Sequence, residues 1–257
     1  MTAKTAQEMM PPRTNEWAAT LRLMVLALLL AFFVRSCLFQ PFTIPSGSMI
    51  PSLWVGDYLF VNKFAYGYSR HSLPFSLPLF EGRLMARPPQ RGDVAVFKLP
   101  RDGRTDFIKR IIGLPGDVVE MRRGRLWVNG APIARERLDP FQLAPAGGGT
   151  LWAQHYRERF AAALGGAQYR VLDSLPDAPG DTMAPVQVPQ EQYFVLGDNR
   201  DNSSDSRFAS GVGLVPLDHL VGRASLLFFS FDADTRFWQV WKYPRAIRWG
   251  RLLRRVE

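Results

Sequence analysis

Two serines separated by a single glycine stand in a proline-bracketed stretch, "IPSGSMIPSL" (44–53). A serine hydroxyl becomes a good nucleophile only when a neighbouring base takes its proton, and that base is usually a histidine. Ser48 lacks the G-x-S-x-G motif in which such a serine often lies. The chain's three histidines lie in separate regions without an evident carboxylate partner: His71, His155 and His219. The pattern therefore disfavours a Ser-His-Asp hydrolase.

A neutral lysine is the alternative base for a catalytic serine. Because free lysine has a pKa of about 10.4, burial among apolar groups has to lower it toward 8, and a change of two pKa units costs about 2.7 kcal/mol. Lys109 stands within "DFIKRIIGLPGD" (106–117), whose apolar residues predict a buried strand. Lys109 is therefore the candidate base, although the pattern also fits a strand-edge lysine whose amine reaches solvent.

An apolar segment precedes these residues, "WAATLRLMVLALLLAFFVRSCLF", from Trp17 to Phe39. About 20 residues are needed to cross the hydrocarbon layer, and the long stems of Arg22 and Arg35 can carry their charges to the two interfaces. The segment has no small-residue cleavage site of the signal-peptide type, and Arg35 makes a lipoprotein site at Cys37 unsuitable. The sequence therefore predicts an uncleaved transmembrane anchor.

Basic residues around the anchor set its expected orientation. Lys4, Arg13 and Arg22 lie on its N-terminal side, against Arg35 alone near the other end. Because basic flanks stay in the cytoplasm, we expect a cytoplasmic N-terminus and an extracytoplasmic chain after Phe39.

The C-terminal tail "KYPRAIRWGRLLRRVE" (242–257) holds six basic residues against one acidic residue, which is +5 of the chain's net +9. The remainder is only weakly basic, so a nucleic-acid-binding surface is not indicated. The arginines recur about every three residues among apolar side chains. This spacing predicts a helix on an anionic lipid surface, with a solvated terminus as the alternative.

Short apolar runs bounded by Gly, Pro and Asp follow the anchor, such as "DYLFVNKF" and "GDVAVFKL", and they predict strands. The Asn-Gly pair in "GRLWVNGAPI" predicts a tight hairpin. Further along, "APAGGG" has the composition of a spacer, and "QHYRERFAAALGG" predicts a short helix ending at glycine. We expect a mainly β protein with a cytoplasmic N-terminus (1–16), an anchor (17–39), a catalytic β-domain in two parts (40–138 and 190–240), a variable insertion (139–189) and a basic tail (241–257).

The stretch "DNRDNSSD" (198–205) is rich in oxygen-bearing side chains, which raises the question of calcium. In one register Arg200 occupies a ligand position, and the register starting at Asp201 lacks the central glycine and the terminal glutamate. The single cysteine, Cys37, supports neither an internal disulfide nor a Cys-based zinc site. We therefore expect no metal and no cofactor.

Four motifs follow the anchor in order: "PSGSMIPSL", "RGDVAVFK", "FIKRIIGLPGD" and "LGDNRDNSSDSR". Together they resemble bacterial type I signal peptidases over the anchor and residues 42–67, 91–130 and 193–230. The resemblance implies an antiparallel β-sheet catalytic domain with a variable inserted subdomain. It also implies a membrane-anchored serine endopeptidase that removes signal peptides from exported preproteins through a Ser-Lys dyad and an acyl-enzyme.

The resemblance also implies roles for individual residues. Ser48 would be the nucleophile and Lys109 its general base, and the Ser46 hydroxyl with the Ser48 backbone N–H would form the oxyanion hole. Ser203 would orient the lysine amine. A charge network holding its loop against the active site is expected from Asp198, Asp205 and Arg207. Pockets for the small residues at −3 and −1 of the substrate are expected to be lined by Phe42, Ile44, Pro45, Met49, Leu53, Phe107 and Ile108, unless these are ordinary core residues.

The expected partners are preprotein signal peptides and membrane lipids, without nucleic acid or metal. "FTIP" (42–45) could pair with an extended substrate as an added strand. We expect a monomer near the export machinery, in the bacterial cytoplasmic membrane, with its catalytic domain on the periplasmic or extracytoplasmic side. Two alternatives remain open: a Ser-Lys peptidase dedicated to one partner substrate, and an anchored peptide-binding domain without catalysis.

Overall fold

The computed structural model describes residues 16–73, 76, 80–143, 151–232, 241 and 243–256. Residues 1–15 of the predicted cytoplasmic N-terminus and the "APAGGG" spacer lie outside these ranges. The helices are α1 (Glu16–Cys37) and α2 (Tyr243–Ala246). The strands are β1 (Phe39–Thr43), β2 (Asp57–Asn62), β3 (Tyr68–Ser69), β4 (Arg83–Leu84), β5 (Val94–Lys98), β6 (Asp106–Gly113), β7 (Val118–Arg122), β8 (Arg125–Val128), β9 (Ala131–Pro132), β10 (Ala134–Arg137), β11 (Phe141–Leu143), β12 (Leu151–Ala153), β13 (His155–Arg159), β14 (Gln168–Leu172), β15 (Met183–Gln187), β16 (Gln192–Leu196), β17 (Val215–Pro216), β18 (Leu220–Ser230) and β19 (Arg254–Arg255).

Helix α1 contains the predicted anchor. Among the described residues it is the one helix long and apolar enough to cross a membrane, from Trp17 to Arg35. Every side chain in this span is exposed, so the helix packs its apolar surface against no other part of the described protein. The helix ends at Cys37, and Phe39, which was predicted to end the anchor, instead begins β1.

An eight-stranded antiparallel sheet forms the centre of the protein. Its strands run in the order β1-β2-β18-β5-β6-β16-β17, and β19 also pairs with β18. In β2 the buried residues Asp57, Leu59 and Val61 alternate with half-buried ones, which is the period of two that strand geometry imposes. Strand β6 is buried continuously from Ile108 to Gly113, as expected of a strand covered on both faces.

Four smaller sheets pack around this centre: β15-β7-β8-β9, β10-β13-β14, β11-β12 and β3-β4. The hairpin between β8 and β9 turns at Asn129 and Gly130, which both have positive φ, so the predicted Asn-Gly turn is confirmed. The predicted insertion, residues 139–189, contributes β13 and β15 to sheets that also contain β10 and β7. These residues therefore continue the sheets of the first part of the chain.

Two predicted helices are wrong. In "QHYRERFAAALGG" the chain forms β13 and then a 3-10 turn, Ala162–Leu164, because β13 pairs on both sides with β10 and β14. In the tail, residues 243–256 form only the four-residue α2, a 3-10 turn at Trp249–Arg251 and β19, which pairs with β18. The mainly β class with an N-terminal apolar helix and antiparallel sheets is confirmed.

Candidate active site

Ser48 lies in a short 3-10 turn, Gly47–Met49, immediately after β1, and its side chain is buried. The Leu53 N–H donates to the Met49 carbonyl (2.9 Å), which folds the following loop back on this turn. From the other side, Asn199 donates its backbone N–H to the Ser48 carbonyl (3.0 Å) and its side-chain amide to the Gly47 carbonyl (3.1 Å). The nucleophile candidate is thus held by two segments that are distant in the sequence.

Lys109 lies on β6, where its Cα is paired with that of Ala95 on β5. It is only 3% exposed, and its Nζ donates to Ser48 Oγ at 2.6 Å. Among the described residues, the hydrogen-bond partners of the Ser48 hydroxyl are Lys109 and Ser46. The structure therefore brings the predicted nucleophile and base into direct contact across 61 positions of the chain.

The histidines have other surroundings. The rings of His71 and His219 lie against each other, with 4.8 Å between their centroids. The His155 ring packs edge-on against Phe141 at 5.6 Å. A histidine is not among the described partners of the Ser48 hydroxyl, which agrees with the sequence-based exclusion of a Ser-His-Asp site.

Burial lowers the pKa of Lys109 to about 8, because the surrounding protein solvates an ammonium group less well than water does. The carboxylates of Asp205 and Asp198 raise this pKa, and Arg207 lowers it further. The lowering of the Lys109 pKa by desolvation is larger than the raising by the two carboxylates. A substantial fraction of the amine is therefore neutral near pH 8, and the neutral form can accept a proton from Ser48.

Ser46 supplies a second hydroxyl at the site. Its Oγ lies 3.3 Å from Ser48 Oγ, so in this arrangement it hydrogen-bonds to the nucleophile itself. The Ser48 N–H belongs to the first turn of the Gly47–Met49 helix, where N–H groups have no acceptor within the helix. The two donors predicted for an oxyanion hole are thus next to each other.

Ser203 does not make the hydrogen bond to Lys109 that the resemblance implies. Its Oγ is buried and has no hydrogen-bond partner among the described residues. A Cβ built on Gly197 would overlap this hydroxyl and would lie 2.7 Å from the Ser48 carbonyl oxygen. The Ser203 hydroxyl and the Ser48 carbonyl oxygen therefore lie on the same side of Gly197.

The predicted charge network divides into two separate pairs. Asp205 binds Arg207 through Nε (2.9 Å) and Nη2 (3.0 Å), and it also accepts the Gly197 N–H at 3.1 Å. Asp198 instead binds Arg110 through Nε (2.8 Å) and Nη2 (2.6 Å), with both side chains 1% exposed. Burial disfavours the charge on Arg110, yet the Asp198 carboxylate keeps its pKa raised above the usual value.

Sequence reasoning missed the roles of Arg110 and Asn199. A buried arginine in an apolar strand needs a carboxylate partner. The arginine within "IKRII" therefore indicated that Arg110 would pair with a buried carboxylate. Nothing in the sequence indicated the contacts that Asn199 makes with the Ser48 turn. The same loop also meets the predicted insertion, where Arg200 pairs with the buried Glu158 at 2.5 Å and Leu172 N–H donates to the Asp198 carbonyl at 2.8 Å.

The predicted pocket residues fall into two groups. Ile44, Met49 and Leu53 are at most 1% exposed and pack in one core cluster with Ile108, so their side chains support the Ser48 turn from beneath. The remaining residues keep some accessible surface: Phe42, Pro45 and Phe107.

One acidic cluster among the described residues has the spacing of a metal site. Carboxylate oxygens of Asp173, Asp181 and Asp201 lie within 4.8 Å of one another. Asp173 is paired with Arg135 at 2.5 Å, and Asp201 accepts two backbone N–H groups, from Ser174 and Leu175. These partners already balance much of the charge, and acidic clusters of this kind do not by themselves indicate a metal.

The family model and the curated relatives that this chain resembles indicate the same family. The family model described as "Signal peptidase, peptidase S26" matches residues 17–229. Signal peptidase I of Rickettsia typhi is 35% identical over 206 residues, which cover 78% of this chain and 76% of that protein. Signal peptidase I of Rickettsia canadensis is 36% identical over 228 residues, covering 84% and 80%. A crystal structure of a signal peptidase I from Enterococcus faecalis matches 54% of this chain and 98% of its own, with 28% identity and a TM-score of 0.31.

Proposed function

This chain belongs to the signal peptidase family, peptidase S26, and is a membrane-anchored serine peptidase that cleaves signal peptides; within this function, we propose that Ser48 and Lys109 form the catalytic dyad. The observation that carries the proposal is the 2.6 Å hydrogen bond between Lys109 Nζ and Ser48 Oγ at a buried site. A dedicated base is required because a serine hydroxyl is weakly acidic, and the lowered pKa of Lys109 makes its amine a suitable acceptor.

In the proposed reaction, the neutral Lys109 amine takes the Ser48 proton as Oγ forms a bond to the carbonyl carbon of the scissile peptide. The developing oxyanion is stabilised by the Ser48 N–H and by the Ser46 hydroxyl, which rotates from Ser48 Oγ toward the substrate. The C–N bond then breaks, the Lys109 ammonium gives its proton to the leaving amine, and an ester remains on Ser48. The neutral Lys109 amine next takes a proton from a water molecule as the water oxygen attacks the ester carbonyl carbon. The ester C–O bond then breaks, and the Lys109 ammonium returns that proton to Ser48 Oγ, which restores the enzyme.

Ser203 contributes to the proposed site as a donor for the lysine amine. Its hydroxyl oxygen is buried and has no hydrogen-bond partner among the described residues, so it is free to donate to the amine. The Asp198–Arg110 and Asp205–Arg207 pairs hold the loop that carries Ser203 and Asn199. We assign these pairs a structural role.

The substrate is proposed to bind as an added strand on β1. This strand forms one edge of the central sheet and pairs with β2 on its other side. An extended peptide placed there would present side chains alternately toward the protein and away from it. Phe42, Pro45 and Phe107 keep some accessible surface, which supports their proposed part in pockets whose limited space selects small side chains at −3 and −1.

The orientation in the membrane is also part of the proposal. The basic flank of α1 supports an N-terminus in the cytoplasm, with the catalytic sheets on the extracytoplasmic side of the bacterial cytoplasmic membrane. There the enzyme would act as a monomer near the export machinery, in contact with lipids, and without nucleic acid or metal.

The test is cleavage of a preprotein by purified protein in detergent. Ser48→Ala and Lys109→Ala are expected to abolish cleavage while the far-UV circular dichroism stays unchanged. Lys98→Ala is the matched control, because Lys98 lies on the neighbouring β5 with an ion pair to Asp106 at 2.9 Å, and it is expected to retain activity. Full activity of either dyad variant would exclude the proposed roles.

A panel of unrelated preproteins distinguishes the remaining alternative. A general signal peptidase is expected to cleave most of the panel at sites with small residues at −3 and −1. A peptidase dedicated to one partner would cleave a single member. The third alternative, an anchored domain without catalysis, is not retained, because the family and its curated relatives are peptidases.

A further inference from the structure

The C-terminal segment, residues 243–256, packs against the nucleophile loop, which we define as residues 44–57. Arg248 donates to the Val55 carbonyl at 2.8 Å, and Arg251 donates to the Ser52 carbonyl at 3.0 Å. The guanidinium carbons of these two arginines lie 5.3 and 4.8 Å from the ring centroid of Trp54. Trp54 is thus covered by the tail, and the tail itself is docked on the loop that carries Ser48.

Asp57 lies at the centre of this contact and is completely buried. Arg251 binds its carboxylate through Nε at 3.1 Å and Nη2 at 2.5 Å. The Ser230 hydroxyl donates to the same carboxylate at 2.6 Å, and the Trp54 N–H donates at 2.8 Å. Since the hydroxyl and the amide are neutral, Arg251 supplies the opposite charge that a buried carboxylate requires.

Asp57 joins the two ends of the nucleophile loop. Its carbonyl accepts the Ile44 N–H at 2.9 Å, and the Gly56 N–H donates to the Ile44 carbonyl at 3.0 Å. Ile44, which precedes the Ser48 turn, and Met49, the last residue of that turn, pack in one core cluster, against which Val256 of the tail also packs. A displacement of Asp57 would therefore displace Ile44, the first residue of the nucleophile loop, and with it Ser48.

We propose that Arg251 is a positioning residue for signal-peptide cleavage: through Asp57 it fixes the nucleophile loop and keeps Ser48 Oγ within reach of the Lys109 amine. The inference rests on the proposed function, since it concerns the geometry of the same dyad. The proposal gives the basic tail a role in catalysis, because Arg248 and Arg251 face the protein's own carbonyl and carboxylate groups. In the described part of the tail, Arg251 is the side chain that binds Asp57 with two nitrogens.

The test compares Arg251→Ala with Arg251→Lys, Asp57→Asn and the double variant, in the full chain in detergent. Because a displacement of about 1 Å in a reacting group costs up to about 100-fold in rate, kcat is expected to fall about 10- to 100-fold in Arg251→Ala, with little change in KM. Arg251→Lys should recover part of the loss, and added guanidinium at millimolar concentration should restore activity to Arg251→Ala. The effects of Arg251→Ala and Asp57→Asn are expected to be non-additive.

Arg254→Ala is the matched control, because Arg254 is exposed and makes no ion pair with another described residue. Its kcat should equal that of the wild type. The folded fraction of each variant is measured by circular dichroism at the assay temperature, so that loss of fold is separated from loss of position. A wild-type kcat in folded Arg251→Ala, even with a lowered Tm, would overturn the proposal. That outcome would not contradict the proposed Ser48–Lys109 dyad. Cleavage by Ser48→Ala, in contrast, would contradict the proposed function itself.

Discussion

At the scale of single residues, the site depends on one amine kept out of water. Lys109 is buried, and burial lowers its pKa from 10.5 to about 8. Below pH 8 the folded protein holds an ammonium group that the unfolded chain would solvate better, which costs about 3 kcal/mol of stability. The cost is relieved as the pH rises from about 8 toward 10.5, where the folded protein has already lost the proton.

Replacing this amine by an apolar group should therefore stabilise the fold and remove the activity. We expect Lys109→Met to raise the free energy of unfolding by about 1 to 3 kcal/mol at pH 7, and the gain should shrink at pH 10. Urea unfolding in detergent at the two pH values measures this difference. Lys98→Met, at a half-buried position on β5, should change stability little. A Lys109→Met variant less stable than the wild type at pH 7 would contradict a desolvated amine.

Some residues of the site were predictable and others were not. Ser48 and Lys109 stood out as candidates because a constrained serine and a lysine within an apolar run are unusual in sequence, and the resemblance to signal peptidases implied their roles. The partner of Asp198 was not predictable, because Arg110 reaches it from β6, the strand that also carries Lys109, and only the folded sheet brings β6 and β16 side by side. For the same reason a single charge network was predicted where there are two pairs.

At the scale of elements, the site is formed where the end of β16 approaches the turn after β1. Gly197 follows β16, and a Cβ at this position would lie 2.7 Å from the Ser48 carbonyl oxygen and would overlap Ser203 Oγ. The absence of a side chain at Gly197 therefore lets the two segments of the proposed site come together.

Gly197→Ala is therefore expected to lower kcat by more than about 10-fold, since even a small displacement of Ser48 is costly. The matched control is Gly250→Ala, because a Cβ at Gly250 would meet no atom within 4 Å. Initial rates of peptide cleavage, with circular dichroism to verify folding, provide the measurement. Equal rates for both variants would show that the approach of the two segments tolerates a methyl group.

Strands were predicted better than helices in this chain. Strand β6 and the β8–β9 hairpin carry local signals, an apolar run and an Asn-Gly turn, that do not depend on distant partners. The helices predicted in residues 154–166 and in the tail depended on spacing alone. Their residues instead found strand partners, β10 and β14 for β13 and β18 for β19, and pairing with these strands outweighed the local pattern.

At the scale of the whole molecule, an apolar helix leads directly into the edge strand of the catalytic sheet. Helix α1 ends at Cys37 and β1 begins at Phe39, so the nucleophile loop lies only one strand away from the anchor. This connection keeps the site close to the membrane in which the helix resides. A substrate whose own apolar segment is in the same membrane would then present its cleavage region near Ser48.

The orientation of the molecule can be tested with sealed membrane vesicles. In right-side-out vesicles, added protease is expected to degrade the catalytic domain and to spare a tag at the N-terminus. Inverted vesicles should give the opposite pattern, because the proposed orientation has the basic flank of α1 in the cytoplasm. Degradation of the N-terminal tag in right-side-out vesicles would contradict the proposed topology.

The pH dependence of kcat/KM for cleavage of a small-residue signal-peptide substrate tests the dyad most directly. The base must be neutral to accept the Ser48 proton, so the rate of the wild type should rise with pH and level off above an apparent pKa of about 8. Lys109→Ala should show no activity across the same range, and Lys98→Ala should follow the wild-type curve. A wild-type profile without this rise, or measurable cleavage by Lys109→Ala, would contradict the Ser48–Lys109 mechanism.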